Sequence, residues 1–482
     1  MKKNILFQCV RSLVPSLFAP QLELIKKHLD EGDIVYIVTC KGDFQYCDMN
    51  STLDKKRCKS CNINFWHNIG LVNFPKDRVI FFPKITQDDY NFLPQSFSNI
   101  RELKNFTIDG DFKIGISTAS SLISEFREAD LDTIANSKKI KDALATSYSI
   151  YKFTIELINK LNIDLVYFHN GRHFDTMPVL AASKKTNTKC ISSDLPYHFG
   201  KYQIFYDTFA LDRHYIAKSI KETWENSKKE NKLEIGSSWF HNVRFKKLQN
   251  QEFMYNKNHV QGSLPQGFDK TKRNISIFNS SLDEIGSLID YASIYEDERE
   301  GIRKILEDFL PEKEFHFYVR IHPNLKGLKN SQIKFFEEIS KQFKNLTLIW
   351  PDEILDSYEL GLNCEKTIVF SSTMGVEMSF WGRPVILTGN AFYESLDCHY
   401  KPNSHQDLIG LIRSTLEPKP KLESIKFGFW AEEFGEDFKY FERTSFYEGK
   451  FMGINMKTHG KIKNLRRKIK SAIKQFYQNL FL

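Results

Sequence analysis

Three short stretches in the second half of the chain carry residue types suited to holding a phosphate. The first is IVFSSTMGVEMSFWGRPVILTG, Ile368 to Gly389, where Ser371, Ser372 and Thr373 follow an apolar run and Gly375 and Glu377 come next. An apolar strand that runs into hydroxyls and then a helix directs backbone N–H groups beyond the strand end, and such a helix N-terminus binds anions. The same Ser and Thr types also cap helices with no ligand present. Glu377 lies near the start of that helix, where a carboxylate can grip the vicinal hydroxyls of a ribose or simply complement the helix dipole. The second stretch, YVRIHPN (Tyr318–Asn324), ends an apolar strand in Arg320, His322 and Asn324, with Pro323 fixing the turn. Arg320 and His322 share a face at a period of two, and a cation beside an imidazole suits a phosphate or diphosphate. The third, IFNSSLDE, offers Ser280 and Ser281, with Glu284 three residues after Ser281 in the spacing of a capping box.

A different chemistry is spaced out near the start. Cys40, Cys47, Cys58 and Cys61 form C-x6-C-x10-C-x2-C in a polar loop after the apolar run DIVYIVT. Four thiols ending in CxxC suit tetrahedral zinc, with every position filled by protein and the role therefore structural. An iron–sulfur cluster uses the same ligands, and four reduced thiols without metal are the plain alternative. Zinc is favoured because so polar a loop has little else to hold it. The other four cysteines are scattered.

Short apolar strands alternating with helical stretches position all of these residues. NILFQCV, DIVYIVTC, IDLVYFHNG and TKCISSD in the first half, and RNISIFNSS, FHFYVRIHPN, NLTLIWPDE, KTIVFSST and RPVILTG in the second, predict parallel, doubly wound sheets. Ligands bind such sheets outside the carboxyl ends of the strands, where the motifs sit. At 482 residues two α/β domains are expected. The predicted boundaries are 1–256, a polar linker at 257–272, a second domain at 273–430, a helical segment at 431–456 crossing back to the first domain, and a basic tail at 457–482. The eight Lys/Arg of that tail account for the whole net charge of +8, so a surface built for nucleic acid is not indicated. Within the tail, Ile462, Leu465, Ile469, Ile473, Phe476 and Leu480 recur at three- and four-residue steps opposite Lys/Arg. That pattern fits an amphipathic helix lying on an anionic membrane surface, or equally one docked on the body. No apolar run is long enough to span a membrane. The expectation is a cytoplasmic protein, peripheral on the inner face of the cytoplasmic membrane if the tail acts as an anchor, with reduced or metal-bound cysteines.

Taken together, RIHPN, FNSSLDE, FSST, GVEMSFWGRPVI and TGNAFYE resemble, in order and spacing, the donor-binding domain of GT-B glycosyltransferases of the bacterial capsule polysaccharide and surface-carbohydrate biosynthesis group. The resemblance implies two Rossmann-like domains facing a cleft and a nucleotide-sugar donor (CMP-, UDP- or similar). It also implies a saccharide or lipid-linked acceptor in capsule, O-antigen or lipopolysaccharide assembly. Glu377, five residues before Gly382, takes the place of the ribose-holding Glu. In the first half Asn170, Gly171 and Arg172 resemble an acceptor-side turn of the same group, with Asp194 about where an acidic residue, more often Glu, follows. A base near the acceptor hydroxyl is needed for inverting transfer, and the candidates are Asp194, His173 and Asp175. No Asp-x-Asp stands at a strand end, so no catalytic divalent metal is expected. A sugar-nucleotide 2-epimerase, a polyol-phosphate transferase and a non-catalytic scaffold are the alternatives that the same scaffold admits.

Overall fold

A computed structural model of the protein describes residues 2–195, 200–245, 260–287, 291, 294–445 and 447–457. The tail beyond 457, with its expected amphipathic helix, lies outside the described residues, as does the start of the expected linker.

The first sheet contains β1 (Asn4–Gln8), β2 (Ile34–Thr39), β3 (Val79–Phe81), β4 (Leu165–His169), β5 (Lys189–Asp194) and β6 (Lys201–Tyr206). The second contains β7 (Arg273–Phe278), β8 (Phe315–Arg320), β9 (Leu346–Ile349), β10 (Lys366–Val369) and β11 (Val385–Leu387). A short β12 (Glu436–Asp437) then joins the first sheet, and β13 (Phe441–Arg443), β14 (Gly449–Phe451) and β15 (Ile454–Asn455) form a small antiparallel sheet.

The orders are β12-β6-β5-β4-β1-β2-β3 and β11-β10-β7-β8-β9. In the first sheet β1, β2 and β3 run outward to one side of β1 while β4, β5 and β6 run to the other, so the winding reverses between β1 and β4. In the second it reverses between β7 and β10. Strands β1–β5 and β7–β11 are parallel. Their apolar runs are buried on both faces, as parallel strands under helices must be. In the first sheet β6 runs antiparallel to β5, and β12 pairs antiparallel to β6. The result is the expected GT-B-like arrangement of two doubly wound α/β units.

Two boundaries differ from expectation. The helices Arg213–Asn226 and Lys232–Arg244 share one apolar core with the second sheet, through Ile216, Ile220, Trp239 and Phe240 against Phe278, Val376 and Phe380. The first sheet's own covering ends earlier, near β6. The expected helical segment at 431–456 is helical only to Glu433 and then consists of short strands and turns. The helix Lys421–Glu433 stops at Glu433, and β12 adds to β6 while β13 and β14 pack on the helix Pro15–Asp30. Glu23 receives the backbone N–H groups of Lys439 and Tyr440 and anchors this return. The crossing-back is thus made by strand pairing, which apolar periodicity over two- and three-residue strands cannot reveal.

Phe240 links the shared core to the phosphate-side helix. It is 1% exposed and stacks on Phe380 at 4.2 Å between ring centroids, at the end of the helix Met374–Phe380 that carries Glu377. Phe240→Ala leaves a cavity under that helix and is expected to cost about 3–5 kcal/mol. Denaturant unfolding of the variant against the parent protein measures it, and a loss under about 1 kcal/mol contradicts this packing.

Candidate functional site

Both reversal points place side chains where an open α/β sheet binds ligands. At the second sheet's reversal, β7 ends in Asn279-Ser280-Ser281 and β10 ends in Phe370-Ser371. The Ser280 and Ser371 hydroxyls meet there at 2.8 Å. A cavity of about 600 Å³ opens beside Ser371, lined also by Leu282, Thr388, Gly389, Lys104 and Arg101. Ser371 is half-buried at its rim, and Ser372 and Thr373, which follow it, are half-buried too.

The Asn279–Leu282 turn is held from below. Glu298, 6% exposed, accepts the Ser280 N–H at 3.1 Å and the Gln332 amide at 2.9 Å. Gln332 in turn donates to the Ser280 carbonyl and accepts the Leu282 N–H. Burial pushes the Glu298 carboxyl up to about 8 against these donors. The sequence reading passed over both residues, which lie far from the motifs in the chain.

The predicted residues divide into groups. Tyr393, from the TGNAFYE motif, donates to the Ser372 carbonyl at 2.6 Å. A Cβ at Gly375 would lie 2.2 Å from that hydroxyl, so only glycine admits the contact. His322 accepts the Asn324 N–H on Nδ1, and its own N–H donates to Asn279, which fixes the turn after β8. Burial lowers His322 to about 4, so the ring is neutral near pH 7. Glu377 is buried, takes the Tyr358 hydroxyl, and has its carboxyl raised by that burial.

Two expectations are corrected. Arg320 is not free for a phosphate: it is 2% exposed and donates to the carbonyls of Trp350 and Glu353, satisfying the end of β9. The capping box is also absent. The Ser281 hydroxyl turns to Asp283 and the Glu284 carboxylate to the Asn324 amide, so these side chains brace the Pro323 turn instead of capping a helix. That helix, Leu282–Ile285, is a single turn.

At the first sheet's reversal the centre is Arg11, just after β1 and 7% exposed. Its guanidinium pairs with both oxygens of Asp175, at 2.7 and 3.0 Å, and with Asp48 at 2.8 Å. Burial alone lowers an arginine, but Asp175 and Asp48 outweigh it and raise this one. Asp175 is thereby committed to Arg11, 2% exposed, and is not placed to take an acceptor proton, a correction to its standing as a candidate base. His173 has Nδ1 at 3.4 Å from the Ser121 hydroxyl and 3.8 Å from Asp48, and burial lowers it well below the usual range. Asp194, at the end of β5 and half-buried, accepts the Asn170 amide at 2.7 Å and the Leu195 N–H at 2.8 Å. Asn170 and Gly171 take φ of +58° and +94°, and a Cβ on Gly171 would strike Phe209 at 2.8 Å, so the turn specifies glycine.

The two reversal points face each other across a polar seam. Arg172 donates to the Glu284 carbonyl at 2.9 Å, Arg127 pairs with Asp283 and donates to the Asn324 carbonyl, and Arg299 pairs with Asp130 at 2.6 Å. Of the residues that sequence reasoning missed, Arg11 alone left a signal, a charge that interrupts an apolar run right after a strand.

The four loop thiols are unbridged and half-buried. Among the described residues, the one group of three metal-type donors mutually within 4.8 Å is His28, Glu31 and Asp33. There His28 is already held by Asp33 at 2.8 Å and Tyr167 at 2.9 Å, a hydrogen-bond chain that locks the end of the helix Pro15–Asp30. No described helix is long and apolar enough to cross a membrane.

Glu298 gives a pH prediction. Its folded-state carboxyl lies near 8, above an ordinary value near 4.5, so the folded form holds a proton that the unfolded form releases. Its contribution is complete below about pH 4.5 and fades as pH rises toward about 8, on the order of a few kcal/mol in all. Glu298→Gln is expected to flatten the stability–pH curve between about pH 5 and 8 relative to the parent protein. Parallel slopes in urea unfolding at a series of pH values contradict it.

Residues 269–400 match the family described as capsule polysaccharide biosynthesis protein. No curated protein sequence matches the chain. Among solved structures the chain is similar to the Thermosulfurimonas dismutans KpsC beta Kdo 2,4 transferase, at 12% identity and TM-score 0.36 over 55% of this chain and 78% of that one. It is also similar to the Methanocaldococcus jannaschii UDP-GlcNAc 2-epimerase in complex with UDP-GlcNAc and UDP, at 12% identity and TM-score 0.29 over 89% and 98%. A third is the S. aureus MnaA–UDP co-structure, at 10% identity and TM-score 0.29 over 91% and 94%. The matched segment 269–400 holds Ser280, His322, Ser371, Glu377 and every other donor-side candidate.

Proposed function

We propose that the protein is a glycosyltransferase that uses a nucleotide-activated sugar in building a bacterial surface polysaccharide of the capsule type. One observation carries this reading: the Ser280 and Ser371 hydroxyls meet at the second sheet's reversal, beside a cavity, inside the segment that matches the capsule family. Opposite them, the first sheet's reversal presents Asp194, Asn170 and Arg172.

On this reading the donor phosphate sits against Ser280, Ser371 and the Ser372–Thr373 turn, and Glu377 supports the ribose end from beneath. The neutral His322 imidazole shapes the wall and adds no charge to it. The acceptor enters over the Asn170–Arg172 turn. Asp194 takes the acceptor proton, because among the described residues its oxygens are held by the Asn170 amide and the Leu195 N–H, while Asp175 serves Arg11. His173 is the second candidate. Rate then comes from positioning and from stabilising the departing nucleotide. The protein works in the cytoplasm on an acceptor at the inner membrane face. The support for that placement is the basic, amphipathic spacing of 457–482 in the sequence.

A thermal-stability panel with CMP, CDP, UDP and GDP tests the donor site, followed by turnover with the sugar nucleotide of the base that binds. One nucleotide is expected to stabilise the protein, with the shift lost in Ser371→Tyr, which fills the cavity mouth. Turnover should release nucleotide in step with acceptor glycosylation, and Asp194→Asn should slow it by about 10²–10⁴-fold with the nucleotide shift retained. No stabilisation by any nucleotide defeats the reading, and an epimerised sugar nucleotide as the product replaces transfer with epimerisation.

A further inference from the structure

We propose that Cys40, Cys47, Cys58 and Cys61 bind one zinc ion as four thiolates, and that the closed loop clamps Asp48 onto Arg11 at the first sheet's reversal. The metal site lies outside the donor and acceptor residues and does not depend on glycosyl transfer.

Three parts of the chain bring the thiols together. Cys40 follows β2 directly, Cys47 precedes the 3-10 turn Asp48–Asn50, and Cys58 and Cys61 lie one turn apart in the helix Lys55–Gly70. The backbone after Cys40 passes hard against Cys58. Gly42 takes φ +94°, and a Cβ there would lie 2.8 Å from the Cys58 Cβ and 3.4 Å from its sulfur. A side chain at that position would push the two thiol-bearing segments apart.

The Cys58 sulfur has a donor suited to a thiolate. The Asn50 amide donates to the Cys58 sulfur at 3.1 Å, and Asn50, 4% exposed, is itself fixed by the Asp54 carbonyl and N–H. A neutral thiol is a weak acceptor, so an amide held rigidly against the Cys58 sulfur is better matched by a metal-bound thiolate. Four thiolates around Zn²⁺ carry a net charge of −2. Lys55, Lys56, Arg57 and Lys59 open the same helix and supply the compensating charge. As drawn, no three of the sulfurs lie mutually within 4.8 Å. Closure to a tetrahedron, with sulfurs about 3.8 Å apart, therefore requires the side chains to turn inward. Binding releases one proton from each thiol to solvent and involves no change of oxidation state.

The link to the cleft is covalent. Asp48 is the residue after Cys47, and its carboxylate binds Arg11 at 2.8 Å. A metal held by Cys47 and by the helix Lys55–Gly70 fixes both ends of the turn that presents Asp48.

Metal analysis of the full chain, purified without chelator and reconstituted with zinc, is expected to give about one equivalent, falling severalfold in Cys58→Ser and Cys61→Ser. Cobalt reconstitution of the parent protein should give the ligand-field spectrum of a tetrahedral thiolate site, which remains decisive if either variant fails to fold. Stripping zinc from the parent protein should raise amide hydrogen exchange over residues 41–57 ahead of the rest of the first domain. Asp48→Asn should retain the metal. Under about 0.2 equivalents of zinc, iron with a cluster chromophore in its place, metal retained by both cysteine variants, or exchange over 41–57 unaltered by stripping would each overturn the proposal. All of these are read without substrate, so they stand or fall apart from the donor-site reading.

Discussion

A guanidinium buried to 7% exposure has to be matched by anions, and Arg11 is matched by two. Leaving such a charge unpaired costs roughly 3–5 kcal/mol, so the position of each partner is fixed by the other. Asp175 brings in the loop after β4, and Asp48 brings in the cysteine loop after β2. One side chain thus ties together three carboxyl ends of the first sheet. The Asn170–Arg172 turn and His173 lie within the loop that Asp175 anchors, so the geometry of that loop follows from this pairing.

The second sheet solves the same problem with a neutral centre. Glu298 sits beneath the Asn279–Leu282 turn and gathers N–H donors from Ser280 and Gln332. Burial pushes its carboxyl to about 8, so the group carries little charge near neutrality. A neutral carboxyl can organise this turn without adding a negative charge at the strand end, which an ionised one would do. The two reversal points therefore differ in kind. One is locked by compensated charge and the other by hydrogen bonds around a nearly neutral acid.

The parts of this architecture legible in the sequence were those with strong local signatures. Long apolar runs marked nearly every parallel strand, and the ends of those runs marked where side chains would gather. Ser371, Ser372 and His322 were singled out because hydroxyls and a His-Pro pair stand out at a strand end, and the structure sets them just after β10 and β8. Arg320 was misassigned for the opposite reason: a period of two tells which face a residue takes, but the carbonyls at the end of β9 that claim it lie 30 and 33 residues onward. Glu284 fitted a capping box by spacing alone, and the proximity of Asn324 overrode it. Glu298 and Gln332 were invisible because their partners come from other elements. The strands at 436–455 were missed because two or three residues give no periodicity to read.

The pairing of Arg320 has a consequence for the cleft. With His322 neutral and Arg320 committed to main-chain carbonyls, neither of these two directs a positive charge at Ser280 and Ser371. The cations that line the cavity include Arg101 and Lys104 from the first domain and Arg299 from the second. Arg101 is paired with Glu296, and Arg299 with Asp130 and Asp297, while Lys104 reaches the Gly286 carbonyl. A carbonyl is a weaker claim on an ammonium than a carboxylate is. Lys104 is therefore the cation most readily drawn toward an anion in the cavity, and it comes from across the seam. Domain interfaces built of polar contacts open and close more readily than apolar ones. A site whose hydroxyls stand on one domain and whose most available cation stands on the other is complete only when the two are together.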